Sequence, residues 1–333
     1  MKTIVVKDNY GLQNVAIDEI LQPQIKPNEV LVKVEAVSLN QLDLMIAKGA
    51  FNTPLPHTLG SDAAGVVEKT GTGVTQFKPG DTVATHFIQG WQSGNLKHMD
   101  LQTRLGTNVQ GVFSKYIALP ETSFVKIPSN LSVEEACTLP IAALTAWEAI
   151  VNAGVLKPGQ TVLLQGTGGV SIFALQFAKA TGAKVIITSG SDAKLAKAKA
   201  MGADIVVNYK TNKDWQNSVL ELTNGKGVDL ALEMSWADLN RTIESVAFGG
   251  KIIVIGLLGS STVNLSVFGI MQKSISITGI QIGSRASYED MNQAIEVNNI
   301  KPVTDRVFKL QEMREAFEYL ESGKHFGKVV VKF

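Results

Sequence analysis

A short glycine-rich segment carries the clearest chemical signal in this chain. Residues 161–171 read TVLLQGTGGVS, an apolar run followed by a glycine turn and the start of an amphipathic segment. Gly166 would allow a sharp turn, Gly168 would let the backbone approach a pyrophosphate, and Ser171 is small enough for a helix to pack closely on the strand. The first helical N–H groups would then face the phosphates of a dinucleotide. The alternative is a tight turn that joins a strand to a helix without any ligand.

The residues after the second strand indicate which dinucleotide would bind. NAD-selective folds usually place an acidic residue about 20 residues after the glycine turn, where it binds the ribose 2′-hydroxyl. Here the strand ends in Ser189 and Gly190 without a carboxylate, and Asp192 is expected to be the N-cap of the next helix. Lys194 could reach a 2′-phosphate, and Tyr209 could cover that phosphate or the adenine. These residues favour NADP over NAD, although Lys194 would also suit a solvated helix surface.

The pattern of apolar residues changes near residue 128. Before it, short β-branched and aromatic runs separated by Gly, Pro and Asn predict strands at 4–6, 30–37, 64–70, 82–85 and 113–118. After it, strands are predicted at 161–165, 184–189, 204–209, 229–234, 251–256 and 274–280, with helices between most of them. Such alternation predicts a doubly wound parallel sheet, which binds ligands beyond the carboxyl ends of its strands.

The rest of the chain carries fewer signals. Residues 132–135 form a capping-box pattern that opens a helix, with a break expected near Pro140. Residues 86–111 are polar and lack periodicity, which predicts a long surface loop. Helices are expected at 172–181, 192–201, 288–298 and 311–322, and a last strand at 328–332. We expect this C-terminal segment to return to the first domain.

Composition excludes several functional classes. The chain has 333 residues, which suggests two domains, and is 45% hydrophobic and 18% charged with a net charge of +1. Binding of nucleic acid or a membrane surface is therefore not favoured. The N-terminus shows no signal peptide or membrane span, and a single cysteine, Cys137, excludes an intrachain disulfide. We expect a cytoplasmic protein.

Five segments in fixed order carry a resemblance to a known family. They are FKPGDTV at 77–83, LPIAALTAW at 139–147, QGTGGVS at 165–171, AMGAD at 200–204 with NY at 208–209, and FGKVV at 326–330. With them the chain resembles the zinc-independent, quinone-oxidoreductase-like members of the medium-chain dehydrogenase/reductase superfamily. The resemblance implies a GroES-like partial β-barrel catalytic domain at 1–127 and 284–333. It also implies a Rossmann doubly wound parallel sheet at 128–283, with the active site in the cleft between the domains.

The resemblance also assigns residues to the cofactor NADP. Relatives bind the 2′-phosphate through a lysine and a tyrosine fifteen residues apart, and Lys194 and Tyr209 repeat that spacing. Those relatives use an arginine near the C-terminus, for which Lys324 or Lys328 stands nearby. The cofactor-binding residues expected in this chain are Thr145, Gly166, Thr167, Gly168, Gly169, Val170, Ser189, Gly190, Lys194, Tyr209, Gly256, Leu257 and Lys328.

The chain departs from the zinc alcohol dehydrogenases at two places. Those enzymes carry a cysteine where residues 38–40 read SLN, and Gly-His-Glu where residues 60–62 read GSD. A catalytic zinc needs three protein ligands and an open position. The four histidines, His57, His86, His98 and His325, have no metal-ligand spacing, and His86 and His98 are expected on a loop surface. We predict no metal site.

Without a metal, Asn40 and Asp43 are the candidate catalytic residues. The Asn40 amide could donate a hydrogen bond to a carbonyl oxygen as charge builds there, or hold the cofactor ribose. Asp43 could be a proton relay or could orient Asn40, or it could simply cap a helix. Asp62 is expected to be a structural hydrogen-bond acceptor. Phe51 stands where enoyl-thioester reductases carry a tyrosine acid, which counts against that activity. The proton would then come from water or from a group that the sequence does not identify.

Three functions are compatible with these residues. The first is hydride transfer from NADPH to a quinone or an activated alkene or carbonyl. The second is a zinc-free alcohol or aldehyde dehydrogenase, which would need a base that the sequence does not identify. The third is an NADPH-binding sensor or structural protein without turnover. Residues 273–280 alternate like an edge strand that could pair with its own copy, so we expect a homodimer.

Overall fold

The computed structural model describes residues 1–256 and 262–333, which form two compact units. Unit 1 comprises Met1–Leu144 and Ile282–Phe333, and unit 2 comprises Thr145–Gln281. The sequence analysis placed the corresponding boundaries after residues 127 and 283. In the described part of the chain, no helix is both long and apolar enough to cross a membrane.

Strands and helices are numbered in chain order. The strands are β1 Lys2–Val6, β2 Val15–Glu19, β3 Glu29–Leu39, β4 His57–Thr58, β5 Asp62–Thr70, β6 Thr82–Thr85, β7 Tyr116–Pro120, β8 Phe124–Lys126, β9 Thr161–Gln165, β10 Lys184–Ser189, β11 Ile205–Asn208, β12 Val228–Glu233, β13 Val246–Val254, β14 Ser276–Gly279, β15 Thr304–Lys309 and β16 Lys328–Lys332. The α-helices are α1 Gln41–Ala47, α2 Val133–Ala136, α3 Leu144–Trp147, α4 Gly169–Ala180, α5 Asp192–Ala200, α6 Trp215–Leu222, α7 Leu239–Ser245, α8 Val267–Lys273, α9 Arg285–Val297 and α10 Met313–Glu321.

Unit 1 is built on a β-sheet in which the described strands follow the order β15-β16-β3-β5-β6-β8, with β7 also paired to β3. The long strand β3 lies at the centre, and its run of β-branched residues is almost entirely buried. Strand β16 pairs antiparallel with β3, so the C-terminal segment returns to this unit. The pairing places the first residues of β16 next to the last residues of β3.

Unit 2 contains a sheet whose described strands follow the order β11-β10-β9-β12-β13-β14, and all neighbouring strands are parallel. This is the doubly wound order of dinucleotide-binding folds, with β9 as the first strand. The expected fold class, a GroES-like domain with a parallel-sheet Rossmann domain, is confirmed. Leu163, Ile186 and Ile252 lie at the centre of the buried core that this sheet shares with its helices.

Two local predictions have different outcomes. The capping box is present, because the Ser132 hydroxyl accepts from the Glu135 N–H while the Glu135 carboxylate accepts from the Ser132 N–H. Residues 86–111 are not a simple surface loop. Phe87, Ile88 and Leu105 are buried, and a 3-10 turn covers Asp100–Thr103. Their apolar side chains anchor the segment to unit 1.

Gly327 controls the start of β16. Its φ is +78°, and a Cβ atom there would lie 2.3 Å from the carbonyl oxygen of Val303. We expect Gly327→Ala to lower the stability by about 2 kcal/mol or more, because a left-handed alanine costs about 1–3 kcal/mol before any clash. Gly323, with φ of +63° and open space around its Cβ position, is the matched control. Equal melting temperatures for the two alanine variants would contradict this account.

Candidate active site

A cluster of polar side chains lies buried inside unit 1. We call it the polar cluster. Its members are Asn40, Asp43, Ser61, Asp62 and Lys328, and none is more than 8% exposed. Strand register explains the grouping, because Val329 pairs with Leu39 and Ser38 pairs with Asp62 across three neighbouring strands. Helix α1 then begins at the end of β3 and adds Asp43 from its first turn.

Lys328 fixes the orientation of the Asn40 amide. Its Nζ atom donates to the backbone oxygen of Leu39 at 2.8 Å and to Asn40 Oδ1 at 2.6 Å. An ammonium group only donates hydrogen bonds, so the amide oxygen must face Lys328 and the amide nitrogen must point elsewhere. Asn40 Nδ2 in fact donates to Ser61 Oγ at 3.4 Å. On the side that faces away from Lys328, the Asn40 amide can therefore only donate hydrogen bonds.

Asp43 both caps a helix and supports Asn40. Its Oδ2 accepts from the Asn40 N–H at 2.7 Å, which is the contact expected of a carboxylate in the first turn of α1. Its Oδ1 accepts from Ser61 Oγ at 3.3 Å, and Ser61 in turn contacts the Asn40 amide. The capping alternative of the sequence analysis is thus present, together with an indirect link to the Asn40 side chain.

Burial raises the pKa of both carboxyl groups in the polar cluster. The pKa of Asp43 is raised to about 7, first by burial and then by the charge of Asp62. Burial raises the pKa of Asp62 to about 6, and the charge of Lys328 opposes this. The distance from Lys328 Nζ to Asp62 Oδ2 is 3.9 Å. Burial likewise lowers the pKa of Lys328, against the attraction of both carboxylates.

Asp62 is a weakly held hydrogen-bond acceptor. The Asn40 side chain, the Ile141 N–H and the Ser61 hydroxyl all favour its charged form through contacts to the carboxylate. None of these contacts has normal hydrogen-bond geometry in the described residues. Asn40 and Ser61 make their better-defined contacts with each other and with Asp43.

Sequence reasoning missed two further buried groups in unit 1. His86, expected on a loop surface, is fully buried, and its Nε2 lies 3.0 Å from the Gly283 oxygen. Burial lowers its pKa to about 4. Tyr288 on α9 is also fully buried, with its ring centroid 6.4 Å from that of His86. The alternation that runs along β6 into His86, and the helical spacing of Tyr288 with Met291, were the available signals.

The polar cluster does not fit a zinc ion. Serine, asparagine and a single aspartate replace the thiolate and imidazole ligands that zinc prefers. The Lys328 ammonium already contacts Asn40 and faces Asp62, so a second cation there would be repelled. Over the described ranges, no group of three or more His, Cys, Asp and Glu side chains is arranged to hold a metal.

The glycine turn of unit 2 has the geometry that a pyrophosphate needs. Gly166 adopts φ of +75°, with no atom near its Cβ position. Gly168 is the N-cap of α4, whose first N–H groups have no partner within the helix. Ser171 Oγ donates to the Gln165 backbone oxygen at 2.7 Å, which ties the helix closely to the strand. The expected contacts Thr167, Gly169 and Val170 lie in this same turn.

The residues expected around the ribose meet at the end of β10. Ser189 ends this strand, and the Tyr209 ring lies against Gly190, where an added Cβ would be 3.0 Å from Tyr209 Oη. Lys194 lies in the first turn of α5. Asp192 is not the N-cap that was expected. Ser191 takes that position, and the Asp192 carboxylate accepts from Asn208 Nδ2 at 2.6 Å, which turns its charge toward β11.

The remaining expected cofactor residues are placed as follows. Thr145 is buried in α3 of unit 2. The Gly256 oxygen accepts a hydrogen bond from Trp236 Nε1. Leu257 lies outside the described residues. Lys328 belongs to unit 1, where its polar contacts are those of the polar cluster, and Lys194 and Tyr209 belong to unit 2.

Comparison with known proteins agrees with this arrangement. Residues 26–129 match the alcohol dehydrogenase GroES-like domain, and residues 169–297 match the zinc-binding dehydrogenase family. A zinc-type alcohol dehydrogenase-like protein of Schizosaccharomyces pombe is 42% identical over 342 residues, which cover 100% of this chain and 99% of that protein. The chain belongs to the medium-chain dehydrogenase/reductase family.

Two other relatives indicate the breadth of this family. The quinone oxidoreductase of Homo sapiens is 28% identical over 324 residues, covering 94% of this chain and 92% of that protein. A crystal structure of an NAD-dependent alcohol dehydrogenase superposes with a TM-score of 0.92 at 34% identity, covering 100% of both chains. The chain is thus an alcohol dehydrogenase-like oxidoreductase of the family, and dehydrogenases of this family bind a nicotinamide cofactor.

The raised carboxyl pKa values predict a pH dependence of stability. A carboxyl whose pKa is higher in the folded than in the unfolded state stabilises the fold at low pH, and this stabilisation is lost as pH rises through the folded pKa. We expect Asp62→Asn to gain about 1.4 kcal/mol relative to wild type between about pH 5 and about pH 8, because pH 5 lies about one unit below the folded pKa of Asp62. Asp43 adds to this gain, since removing the charge of Asp62 removes one cause of its raised pKa. The titration of His86 cancels because both proteins retain it.

Melting temperatures of both proteins across this pH range check the prediction. Asp290→Asn, which removes an exposed carboxylate, is the control and should track wild type. A difference between Asp62→Asn and wild type that stays constant with pH would show that Asp62 titrates normally.

Proposed function

We propose that this protein is a zinc-independent, NADPH-dependent oxidoreductase that transfers hydride to a quinone or to an activated alkene or carbonyl compound. The observation that carries the proposal is the polar cluster. Asn40 and Asp62 lie in the two segments where zinc dehydrogenases carry metal ligands, and here the buried ammonium group of Lys328 is bonded to the Asn40 amide and faces the Asp62 carboxylate. A substrate that needs no Lewis acid suits such a site best.

The glycine turn and the end of β10 would hold the cofactor. Gly166, Gly168 and the first N–H groups of α4 suit the pyrophosphate, because they combine a backbone cradle with the positive end of a helix dipole. When bound, the reduced nicotinamide supplies the hydride. Thr145 and Gly256 are proposed to contact that ring, as they do in the relatives that the chain resembles.

Asn40 would stabilise the charge that develops on the substrate. Lys328 holds the amide oxygen, so the amide nitrogen is left to donate toward a carbonyl oxygen as it becomes negative. The backbone of Asn40 is held in turn by Asp43. A donor that is fixed before the reaction costs little reorganisation when the charge appears, which is how such groups accelerate a reaction.

NADPH is favoured over NADH by the charges near the end of β10. In the described residues no carboxylate ends β10, and the one that follows it, Asp192, accepts a hydrogen bond from Asn208. Lys194 lies in the first turn of α5, where the helix dipole opposes a cation, so its position favours a role in binding an anion. The Tyr209 ring beside Gly190 would cover the same phosphate.

A second candidate function is alcohol or aldehyde dehydrogenation without zinc. The name of a relative of this chain, a zinc-type alcohol dehydrogenase-like protein, favours this second function. The pKa of about 7 for Asp43 also favours it, because an effective general base has a pKa near the working pH. The carboxyl is fully buried, however, and would need a relay to reach an alcohol. The third alternative is binding of NADPH without turnover. Turnover of any substrate would exclude it and leave the first two functions.

The direct test is NADPH oxidation with a benzoquinone, a naphthoquinone, an α,β-unsaturated aldehyde and a plain aldehyde, each with and without a chelator. We expect turnover of a quinone or of the unsaturated aldehyde that the chelator does not change. Turnover of the plain aldehyde alone, abolished by the chelator, would overturn the proposal. Alcohol-dependent reduction of NADP that resists the chelator would support the second candidate.

Lys194→Ala tests the choice of cofactor. Loss of a charge-assisted hydrogen bond to a 2′-phosphate should raise the KM for NADPH by about 10- to 100-fold, from about 1.5–3 kcal/mol of lost interaction. The KM for NADH should stay the same, since NADH lacks that phosphate. Lys197→Ala, on the same helix, is the control that should change neither value. Equal effects on both cofactors would contradict a 2′-phosphate contact.

We also propose that the protein is a homodimer. Strand β14 is an edge strand of the unit 2 sheet, with its outer hydrogen-bonding side unpaired in the described residues. Beside it, Val267, Phe268 and Met271 of α8 are about two-thirds exposed, at 70%, 65% and 67%. An open edge next to exposed apolar side chains suits pairing with a second copy across a two-fold axis.

Phe268→Asp is expected to disrupt this pairing, because it places a charge in an apolar interface. Light scattering should then give a mass near the 35.7 kDa of one chain, where wild type gives about twice that. The control is Phe248→Asp, which changes an equally exposed phenylalanine on β13 and should leave the dimer intact. A monomeric wild type would refute the proposal.

A further inference from the structure

Four fully buried residues of unit 1 have polar atoms that are held weakly or not at all. We call Ser38, Asp62, His86 and Tyr288 the buried polar row. Ser38 Oγ and Tyr288 Oη have no hydrogen-bond partner within the described ranges. The contacts of the Asp62 carboxylate, and that of His86 with the Ile88 backbone, fall short of normal hydrogen-bond geometry. Buried polar atoms are nearly always satisfied, so this group in one region of a protein calls for a physical explanation.

The sheet brings these residues together. Ser38 and Asp62 are direct partners on β3 and β5, so their side chains share a face. Ala64 pairs with Ala84, and two residues from this pair lie Asp62, at the start of β5, and His86, just past the end of β6. Tyr288 covers this face from α9, with its ring near His86 and close enough to Asp62 for that charge to raise its pKa.

These atoms favour internal water as a further partner. A buried polar atom without a good hydrogen bond destabilises the fold. Water molecules that bridge two to four polar groups are the usual solution. Hydroxyl groups and water can both accept and donate, so a hydrated row of this kind can also pass a proton along it.

The charges beside the row do not balance unless a proton is retained. Asp43, Asp62 and Lys328 are all buried, and they supply two carboxyl groups against one ammonium group. An unpaired buried charge is costly, so the two carboxyls are most stable when they share one proton and titrate as a pair. Asp43 has the higher pKa of the two, so it holds the shared proton more of the time. Asp62 is the member that faces the row, so a proton that leaves the pair for the row leaves from Asp62.

We propose that Asp43 and Asp62 together store one proton, and that Asp62 releases it through the buried polar row to the substrate oxygen that becomes negative during reduction. The release rests on the function proposed above, while the storage does not. The groups that face Asp62 are Lys328 from β16, Asp43 from α1, Tyr288 from α9 and Cys137 after α2, with His86 at the end of the row.

The proton balance of the release is simple. The O–H bond of the carboxylic acid breaks, and its electron pair stays on Asp62, where Lys328 lies 3.9 Å away. The new O–H bond uses an electron pair of the substrate oxygen, and the hydride from the reduced nicotinamide has supplied the two electrons of the reduction. A proton from solvent then restores the store. This step would provide the proton donor that the sequence left unidentified.

Infrared spectroscopy of the protein at about pH 7 tests the storage without any substrate. The wild-type spectrum should contain the carbonyl stretch of a protonated carboxyl, with an intensity that corresponds to one such group per chain. Charge balance predicts that it disappears in Asp62→Asn and equally in Asp43→Asn, because the remaining carboxylate then pairs with Lys328. In Lys328→Met the band should double, since both carboxyls must then be neutral.

Tyr288→Phe is the second variant, since it keeps all three charged groups. It should retain the band but shift its frequency, because a neighbour of Asp62 is lost. Absence of the band in wild type, or its persistence at full intensity in both aspartate variants, would overturn the shared proton. If an aspartate variant fails to fold, the Lys328→Met and Tyr288→Phe spectra still decide the question.

Stopped-flow measurement in weak buffer with a pH indicator tests the release. In wild type, uptake of the proton from the medium should lag behind the loss of NADPH absorbance, because the store supplies the first proton. In Tyr288→Phe the hydride step should be unchanged while protonation slows, and in Asp62→Asn the lag should vanish. A wild type without any lag would contradict the release. If no acceptor is reduced, the proposed function fails while the infrared result still stands.

Discussion

The buried ammonium group of Lys328 is the interaction on which the chemistry of unit 1 depends. It joins residues 288 positions apart in sequence, and it does so only because β16 pairs with β3 in one register. From that single position it orients the Asn40 amide and offsets the charge of Asp62. A buried cation with two carboxyls around it forms a coupled unit, so a change at any member alters the protonation of the others.

The two units present charge by different physical means. In unit 2 a positive-φ glycine and the start of a helix form a positive surface that would suit phosphates without any charged side chain. In unit 1 the charges are on buried side chains, and burial raises the pKa of the carboxyls toward the neutral range. Membership of the medium-chain dehydrogenase/reductase family explains why both are present in one chain.

Local patterns predicted much of the fold. Strands β6, β9, β10 and β16 were predicted residue for residue, because each is a compact apolar or β-branched run with Gly or polar residues at its ends. The boundaries of other strands moved by a few residues. The strand expected at 204–209 covers only Ile205–Asn208, so Tyr209 stands just beyond it and its ring is free to turn back over Gly190.

The buried polar groups were harder to predict. His86 was assigned to a surface loop, because the polar sequence around it hides how the apolar side chains Phe87 and Ile88 pull the segment into unit 1. The sequence by itself determined the two kinds of domain and the glycine turn, because these depend on residues within a few positions of each other. Only the tertiary structure decided which of Asn40, Asp43, Asp62, Lys328 and Tyr288 share one buried space. That depends on strand register, which places side chains from distant segments on the same face of a sheet.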